Sequence, residues 1–192
     1  MLKKKNTHMN KIGTVYIATS LDGYIARADG NIDWLNEANS CVPEGEDCGF
    51  FEFLESIDAL IMGRKTFEQV LSFGQWPYGE TPVIVLSRNK VSIPSKLSKT
   101  VSCSSESPTE LSKRLADTGA KKLYIDGGAT IQSFLKEDLI NDITITRIPT
   151  AIGTGIPLFG ELNNDIKLKH IATKVYDFGF VQSTYEIINN KA

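Results

Sequence analysis

The sequence predicts an α/β fold whose sheet is mostly parallel and ends in an antiparallel hairpin. Three observations lead to this fold class. Strand-like apolar segments alternate with segments of helical periodicity along most of the chain. The run 82–87 (PVIVLS) is apolar throughout, which is typical of strands buried on both faces of a sheet. The last segment, 167–188, reads as two strands joined by a turn at Asp177-Phe178-Gly179.

The first third of the chain predicts a strand, a long loop and a helix. Residues 13–19 are rich in β-branched side chains, which favour a strand, and a turn signal follows at Ser20-Leu21-Asp22-Gly23. Residues 20–42 contain repeated Gly and Asn breakers without periodicity, so we expect a long functional loop there. A helix is predicted over 44–57, because apolar residues recur at i, i+3, i+4 and i+7 from Phe50 and acidic residues crowd its first turn.

The rest of the chain alternates strands and helices. Besides 82–87, strands are predicted at 58–62, 100–104, 121–126 and 141–149, and helices at 64–72, 108–117 and 129–136. Pro108 favours a helix start, and a Gly/Pro-rich loop occupies 151–160. Because no repeat or linker interrupts this pattern, we predict one domain over 12–190, preceded by a flexible leader at 1–11.

Charge and composition exclude several classes of protein. The 192 residues include 21 basic and 23 acidic side chains, so a domain-wide nucleic-acid surface is not expected. No apolar run approaches the roughly 20 residues of a membrane span, and residues 1–11 lack the apolar stretch of a signal peptide. Cys41, Cys48 and Cys103 have neither metal-site spacing nor the pattern of a disulfide framework. We therefore predict a cytoplasmic protein with no metal, membrane or nucleic-acid partner.

Three predicted strands end in segments suited to binding phosphate groups. These segments are Gly63, Arg64, Lys65 and Thr66; Ser87 and Arg88; and Gly127, Gly128, Ala129 and Thr130. Glycine lets a ligand approach the backbone, and a helix N-terminus presents free N–H groups at the carboxyl ends of the strands, where open α/β sheets bind ligands. Each segment alone would be an ordinary turn, and neither GxGxxG nor GxxxxGK[ST] occurs. Together they predict a dinucleotide site, and their cationic side chains favour NADPH over NADH.

These segments resemble those of a known superfamily. IMGRKTFE (61–68), VLSR (85–88) and IDGGATI (125–131) resemble, in order and spacing, the cofactor-binding segments of the dihydrofolate-reductase fold. TVYIATSLDGYIA (14–26) resembles the first strand and active-site loop of the reductase domain of the bifunctional riboflavin-biosynthesis deaminase-reductase. The resemblance covers about 13–188. It implies a dihydrofolate-reductase-like three-layer α/β/α architecture with a mostly parallel mixed sheet.

The resemblance also implies roles for individual residues. Residues 64–66 would meet the 2′-phosphate and pyrophosphate of NADPH, with 87–88 beside the adenosine ribose. Residues 127–130 would hold the pyrophosphate, and family members usually have a cis peptide between the paired glycines. Ala18 and Gly23 would flank the nicotinamide.

A carboxylate and an aromatic ring are predicted to hold the substrate. Folate reductases carry an acid on the first helix fifteen residues before the methionine of their MGR motif, and the same count from Met62 gives Asp47. The acid can hydrogen-bond a heterocycle on which Phe51, one turn later, would stack. Asp47 is equally well explained as a helix stabiliser. Further candidates are Trp34 and Thr154 for substrate binding and Asp22 for catalysis, with core packing and turn formation as the alternatives for Trp34 and Asp22.

Two departures argue against folate as the substrate. Residues 30–34 (GNIDW) stand where folate reductases have Leu-Pro-Trp, and Thr81 beside Glu80 stands where they bind the glutamate tail with an arginine. No zinc-deaminase signature occurs in these 192 residues. We predict an NADPH-dependent reductase of a small pyrimidine-, ribosylamine- or pteridine-like substrate. The alternatives are a dihydrofolate reductase and a non-catalytic nucleotide-binding regulator. A homodimer through the edge of the C-terminal hairpin is also expected.

Overall fold

The computed structural model describes residues 12–188, so the predicted leader at 1–11 lies outside the described residues. The strands are β1 (Gly13–Thr19), β2 (Tyr24–Ala26), β3 (Ala59–Gly63), β4 (Val83–Leu86), β5 (Val101–Ser104), β6 (Leu123–Asp126), β7 (Ile140–Arg147), β8 (Ile156–Pro157), β9 (Lys167–Val175) and β10 (Val181–Ile188). The α-helices are α1 (Asp33–Asn39), α2 (Phe50–Glu55), α3 (Arg64–Ser72), α4 (Pro108–Asp117) and α5 (Gly128–Lys136), and Ser95–Leu97 forms a 3₁₀ turn.

Eight of the strands form one sheet in the order β5-β4-β3-β6-β1-β7-β10-β9. The six strands from β5 to β7 are parallel, whereas β10 pairs antiparallel with both β7 and β9. The prediction of a mostly parallel sheet with a C-terminal hairpin is therefore confirmed. Since the carboxyl ends of the parallel strands share one edge, the loops that follow β1, β3, β4 and β6 lie together.

The two faces of the sheet are covered by different helices, which gives three layers. Alternate residues of a strand point to opposite faces, so Ile61 belongs to one apolar cluster and Leu60 and Met62 to another. The first cluster includes Leu111 of α4 and Phe134 of α5. The second includes residues of α3, and Phe53 of α2 packs against it.

Two predictions for the first third of the chain are wrong. The expected loop at 20–42 contains β2 and α1, and the expected helix at 44–57 is reduced to α2. The periodicity from Phe50 does mark a helix, but Gly45 and Gly49 have φ values of 84° and 83°, outside the helical region. Residues 44–49 therefore form turns, and Asp47 lies before the helix rather than on it.

Smaller elements close the carboxyl edge of the sheet. β2 pairs with β8, which lies in the segment expected to be a loop at 151–160. The peptide bond between Gly127 and Gly128 is trans, unlike the cis bond that the resemblance implied. Among residues 12–188 no helix is long and apolar enough to cross a membrane.

Candidate active site

The parallel neighbours β3 and β6 bring two helix N-termini side by side. β3 runs directly into α3, and β6 runs through Gly127 into α5. A Cβ atom on Gly127 would overlap Oγ1 of Thr66 in α3, and one on Gly63 would lie 3.0 Å from Oγ1 of Thr130 in α5. Each junction glycine thus packs against a threonine of the other helix. Only glycine allows this close approach, and Gly127 also needs its φ of 86°.

The helices α3 and α5 begin without a side-chain cap. Their N-cap residues are Gly63 and Gly127, and neither helix has a side-chain hydrogen bond to its first turn. By contrast, α4 carries a full capping box, in which Ser107 and Glu110 satisfy each other's backbone N–H groups. Free N–H groups and the positive end of the helix dipole favour an anion. The junction therefore fits the pyrophosphate of a dinucleotide.

Three cationic residues lie in the segments that follow β3 and its neighbour β4. Lys65 and Arg88 are exposed, and the half-exposed Arg64 pairs with Glu68 at an Nη1–Oε1 distance of 3.2 Å. Ser87 donates its hydroxyl to the Asn89 carbonyl at 2.8 Å, which shapes the turn after β4. This set of donors suits a ligand that carries phosphate groups.

The structure brings the segments that carry the predicted substrate residues to one end of β1, but not every one of these side chains is accessible to a ligand. Ala18 at the end of β1 packs with Trp34, Cys48 and Ile152 in a third apolar cluster, which brings the Asp47 segment and the loop of Thr154 to the end of β1. Trp34 is only 2% exposed and its indole N–H has no hydrogen-bond partner. Its side chain therefore packs in the core, which was the alternative to substrate binding. Phe51 is 61% exposed and remains available for stacking, and Thr154 is exposed as well.

Asp47 caps helix α2. Its Oδ1 accepts a hydrogen bond from the Gly49 N–H at 2.8 Å, and its Oδ2 accepts one from the Phe51 N–H at 2.8 Å. These donors, the Phe51 N–H first, hold the pKa of Asp47 below its usual range. The carboxylate is therefore ionised at neutral pH. It can accept hydrogen bonds from an amino or amidine edge, but it cannot supply a proton.

Asp22 connects two loops at the carboxyl edge of the sheet. Its carboxylate accepts bonds from the Ser20 hydroxyl at 2.6 Å, the Ile152 N–H at 3.1 Å and the Gly153 N–H at 2.7 Å. The Ser20 hydroxyl contributes most to keeping the pKa of Asp22 low. Gly23 has a φ of 88° in the same turn. These contacts give Asp22 a positioning role, and its predicted part in catalysis stays a prediction.

Sequence analysis missed Asp126, the last residue of β6. It is partly buried, it precedes the Gly127-Gly128 junction, and its carboxylate accepts the Gly127 N–H at 2.8 Å. Burial raises the pKa of Asp126 to about 6, which the hydrogen bond only partly offsets. An acidic residue closing an apolar strand directly before a ligand-binding turn was the available signal. The sequence interpretation used residues 127–130 of this motif and not the acid before them.

Comparison with known proteins agrees with this geometry. The model of the RibD C-terminal domain matches residues 11–181. The chain belongs to the RibD C-terminal domain family. The uncharacterized protein YwjB of Bacillus subtilis (strain 168) is 38% identical over 88% of this chain and 94% of its own. The crystal structure of a Shewanella sp. PV-4 protein provisionally assigned to riboflavin biosynthesis has a TM-score of 0.85, with 42% identity over 93% of this chain and 99% of that one.

More distant structures share the fold. The Thermotoga maritima diaminohydroxyphosphoribosylaminopyrimidine deaminase/5-amino-6-(5-phosphoribosylamino)uracil reductase has a TM-score of 0.69 at 15% identity, over 92% of this chain and 56% of that one. Dihydrofolate reductase from Enterococcus faecalis, in complex with NADP(H), has a TM-score of 0.62 at 18% identity, over 93% of this chain and 98% of that one. These structures show that the chain has the dihydrofolate-reductase-like fold.

Proposed function

We propose that this RibD-family chain is an NADPH-dependent reductase of a small nitrogen heterocycle or ribosylamine, of the 5-amino-6-(5-phosphoribosylamino)uracil reductase type. One observation carries the proposal: two uncapped helix N-termini lie side by side after β3 and β6, and the segments that follow β3 and its neighbour β4 supply Arg64, Lys65 and Arg88. Structural similarity to a reductase in complex with NADP(H) supports the same assignment. When bound, NADPH supplies a hydride to a C=N or C=O bond of the substrate.

The cofactor would be held by the residues that the resemblance selected. The first-turn N–H groups of α3 and α5 would bind the pyrophosphate. Arg64, Lys65 and Arg88 would bind the 2′-phosphate through charge-assisted hydrogen bonds, with Ser87 beside the ribose. Ala18, at the end of β1 next to β6, would border the nicotinamide.

Two carboxyl groups would have different roles toward the substrate, one in proton donation and one in binding. Reducing a C=N bond adds a hydride to carbon and requires a proton on nitrogen. Asp126, whose pKa burial raises to about 6, would be the proton donor, whereas Asp47 remains ionised and would bind the donor edge of the substrate. The exposed Phe51 ring would stack on the heterocycle, and Thr154 would contact its polar substituent.

Folate is the less favoured substrate. A pteroylglutamate tail needs a cation, but Thr81 stands at the corresponding position, where it offers its N–H to the Tyr78 carbonyl at 3.0 Å and has no charge to contribute. The adjacent Glu80 is exposed and negatively charged. Repulsion at this position favours a substrate without a carboxylate tail.

The test of the proposed function is NADPH oxidation by the purified full-length protein with a panel of pyrimidine, ribosylamine and pteridine acceptors. We expect turnover with at least one uracil-type acceptor, and Asp126→Asn should reduce it without weakening NADPH binding. Glu161→Gln, a change in the loop after β8, is the matched control. Tight NADPH binding without turnover of any acceptor would instead favour a nucleotide-binding regulator.

The proposal includes a cytoplasmic homodimer joined at the edge strand β9. All residues of β9 except Leu168 are exposed, and Ile171 and Val175 expose 52% and 70% of their surface. A long open edge of this kind favours pairing with a second copy. Light scattering should give twice the 21.2 kDa chain mass. A species of the single-chain mass at micromolar concentration would contradict the dimer, and Val175→Lys should dissociate it.

A further inference from the structure

The turn that contains Asp47 has an unfavourable backbone conformation, which contacts with other parts of the chain must stabilise. Cys48 and Gly49 both have positive φ values, 55° and 83°. The left-handed region is open to glycine but disfavoured for cysteine. A residue held there persists only where its surroundings determine the conformation. The Cys48 N–H donates to Oε1 of Glu46 at 2.7 Å within the turn, and the contacts of the Cys48 carbonyl connect the turn to the sheet.

Gln182, on β10, is the residue that reaches the turn. Its Nε2 lies 2.9 Å from the Cys48 carbonyl oxygen, 2.8 Å from the Tyr16 hydroxyl and 2.9 Å from Oγ1 of Thr146. The Tyr16 hydroxyl itself donates to the same Cys48 carbonyl. Because a carbonyl only accepts, the Gln182 amide must present its nitrogen to Cys48. These hydrogen bonds connect the turn to β1, β7 and β10.

The Cys48 carbonyl and the Gly49 N–H belong to one planar peptide group. At one end the group accepts from Gln182 and Tyr16, and at the other it donates to Asp47 Oδ1 at 2.8 Å. Since the peptide unit is rigid, fixing its oxygen also fixes the direction of its N–H. The side-chain amide of Gln182 is thereby linked to the Asp47 carboxylate through a single peptide plane.

We propose that Gln182 is a positioning residue that sets the orientation of the Asp47 carboxylate from the C-terminal hairpin. Its effect on catalysis rests on the proposed function, but the linkage itself does not. Loss of the Gln182 donor leaves Tyr16 as the remaining donor to the Cys48 carbonyl. The Gly49 N–H then opens more often, and the carboxylate loses its fixed direction.

The direct test is amide hydrogen exchange in the full-length protein, comparing wild type with Gln182→Leu. Leucine has a similar size and no donor. We expect exchange at the Gly49 and Phe51 amides to rise about tenfold, as for the loss of one hydrogen bond, with exchange in β1 and β7 unchanged. Ser183→Ala is the matched control, because its hydroxyl bonds Thr173 on the hairpin instead. Unchanged exchange at both amides in folded Gln182→Leu would overturn the proposal.

A second variant and a second measurement separate the two proposals. Tyr16→Phe keeps the ring, which stacks on Phe53 at 4.5 Å, and removes the other donor to Cys48, so it should loosen the same amides if Gln182→Leu does not fold. With an acceptor that turns over, Gln182→Leu should lower kcat/KM for that acceptor about tenfold and leave NADPH affinity unchanged. Unchanged kcat/KM despite faster exchange would overturn the functional part. A wild type that reduces no acceptor refutes the proposed function alone, since exchange still decides the linkage.

Discussion

Replacing Asp126 with asparagine separates the chemistry of this carboxyl from its effect on stability. The pKa of Asp126 is raised from 3.8 to about 6, because burial disfavours the charged form. Asparagine keeps an oxygen that can accept the Gly127 N–H, which now bonds Asp126 at 2.8 Å, but it does not ionise. The variant therefore removes the titration while preserving shape and hydrogen bond.

The sign of the stability change follows from proton linkage. Between about pH 4 and pH 6 the unfolded chain releases this proton and the folded chain keeps it, so the free energy of unfolding falls as pH rises through that window. A pKa difference of about two units corresponds to roughly 3 kcal/mol, and above pH 6 the full penalty applies. Asp126→Asn should therefore be up to about 3 kcal/mol more stable than wild type at pH 8 and about equally stable at pH 4.

Urea unfolding of wild type and variant at pH 4, 6 and 8 measures this difference directly. Asp58→Asn is the control of opposite sign, because the N–H groups of Lys121 and Lys122 lower the pKa of Asp58. That variant should lose stability at pH 8. In the same preparations, NADPH oxidation by Asp126→Asn should fall although the fold is stabilised. A stability difference for Asp126→Asn that does not change with pH would refute the buried-acid reasoning.

Three further predictions concern the ligands. Arg64→Ala should weaken NADPH binding at least tenfold, about 1.4 kcal/mol, with little effect on NADH; equal losses in calorimetric titration would rule out a 2′-phosphate contact. Glu68→Gln frees Arg64 from its 3.2 Å partner and should tighten NADPH binding about twofold at low salt, an effect that disappears at high ionic strength. Dihydrofolate should be a poor substrate with a high KM, and Glu80→Arg should lower that KM; a micromolar KM in wild type would contradict the role given to Glu80.

The elements that local signals determine could be predicted from the sequence. The helices α3 and α4 have the boundaries that the sequence predicted, 64–72 and 108–117. Proline stands at the first position of α4, and Gly63 is the last residue of β3 and the N-cap of α3. A few adjacent residues therefore determine where each helix begins. The antiparallel hairpin was similarly marked by alternation and a turn.

The turn before α2 could not be predicted, because its conformation depends on distant residues. The apolar spacing from Phe50 gave no reason to end the helix before Glu44, and three acidic residues favoured its extension. Cys48 has a left-handed backbone, and its carbonyl is held by Tyr16 and Gln182, which are far away in the sequence. The same turn converts Asp47 from a residue on a helix into the cap of one.

The environments of the two carboxyl groups also depend on tertiary structure. Asp47 and Asp126 both have an ordinary acidic side chain, yet their pKa values move in opposite directions. Asp47 receives two backbone N–H donors, whose effect on its pKa outweighs that of burial, whereas Asp126 receives one donor and burial outweighs it. Spacing along the chain indicated the first residue, but burial at the end of a central strand, which distinguishes the second, is a property of the assembled sheet.

The position of Asp126 links its proton to the proposed cofactor. The N-terminus of α5, which follows within two residues, by itself favours the ionised carboxylate. Burial outweighs that attraction, since the pKa is raised to about 6. A pyrophosphate on the same N-terminus would use the free N–H groups and add negative charge beside Asp126, and both effects favour the protonated acid. In the proposed complex, cofactor binding and retention of the Asp126 proton would therefore reinforce each other.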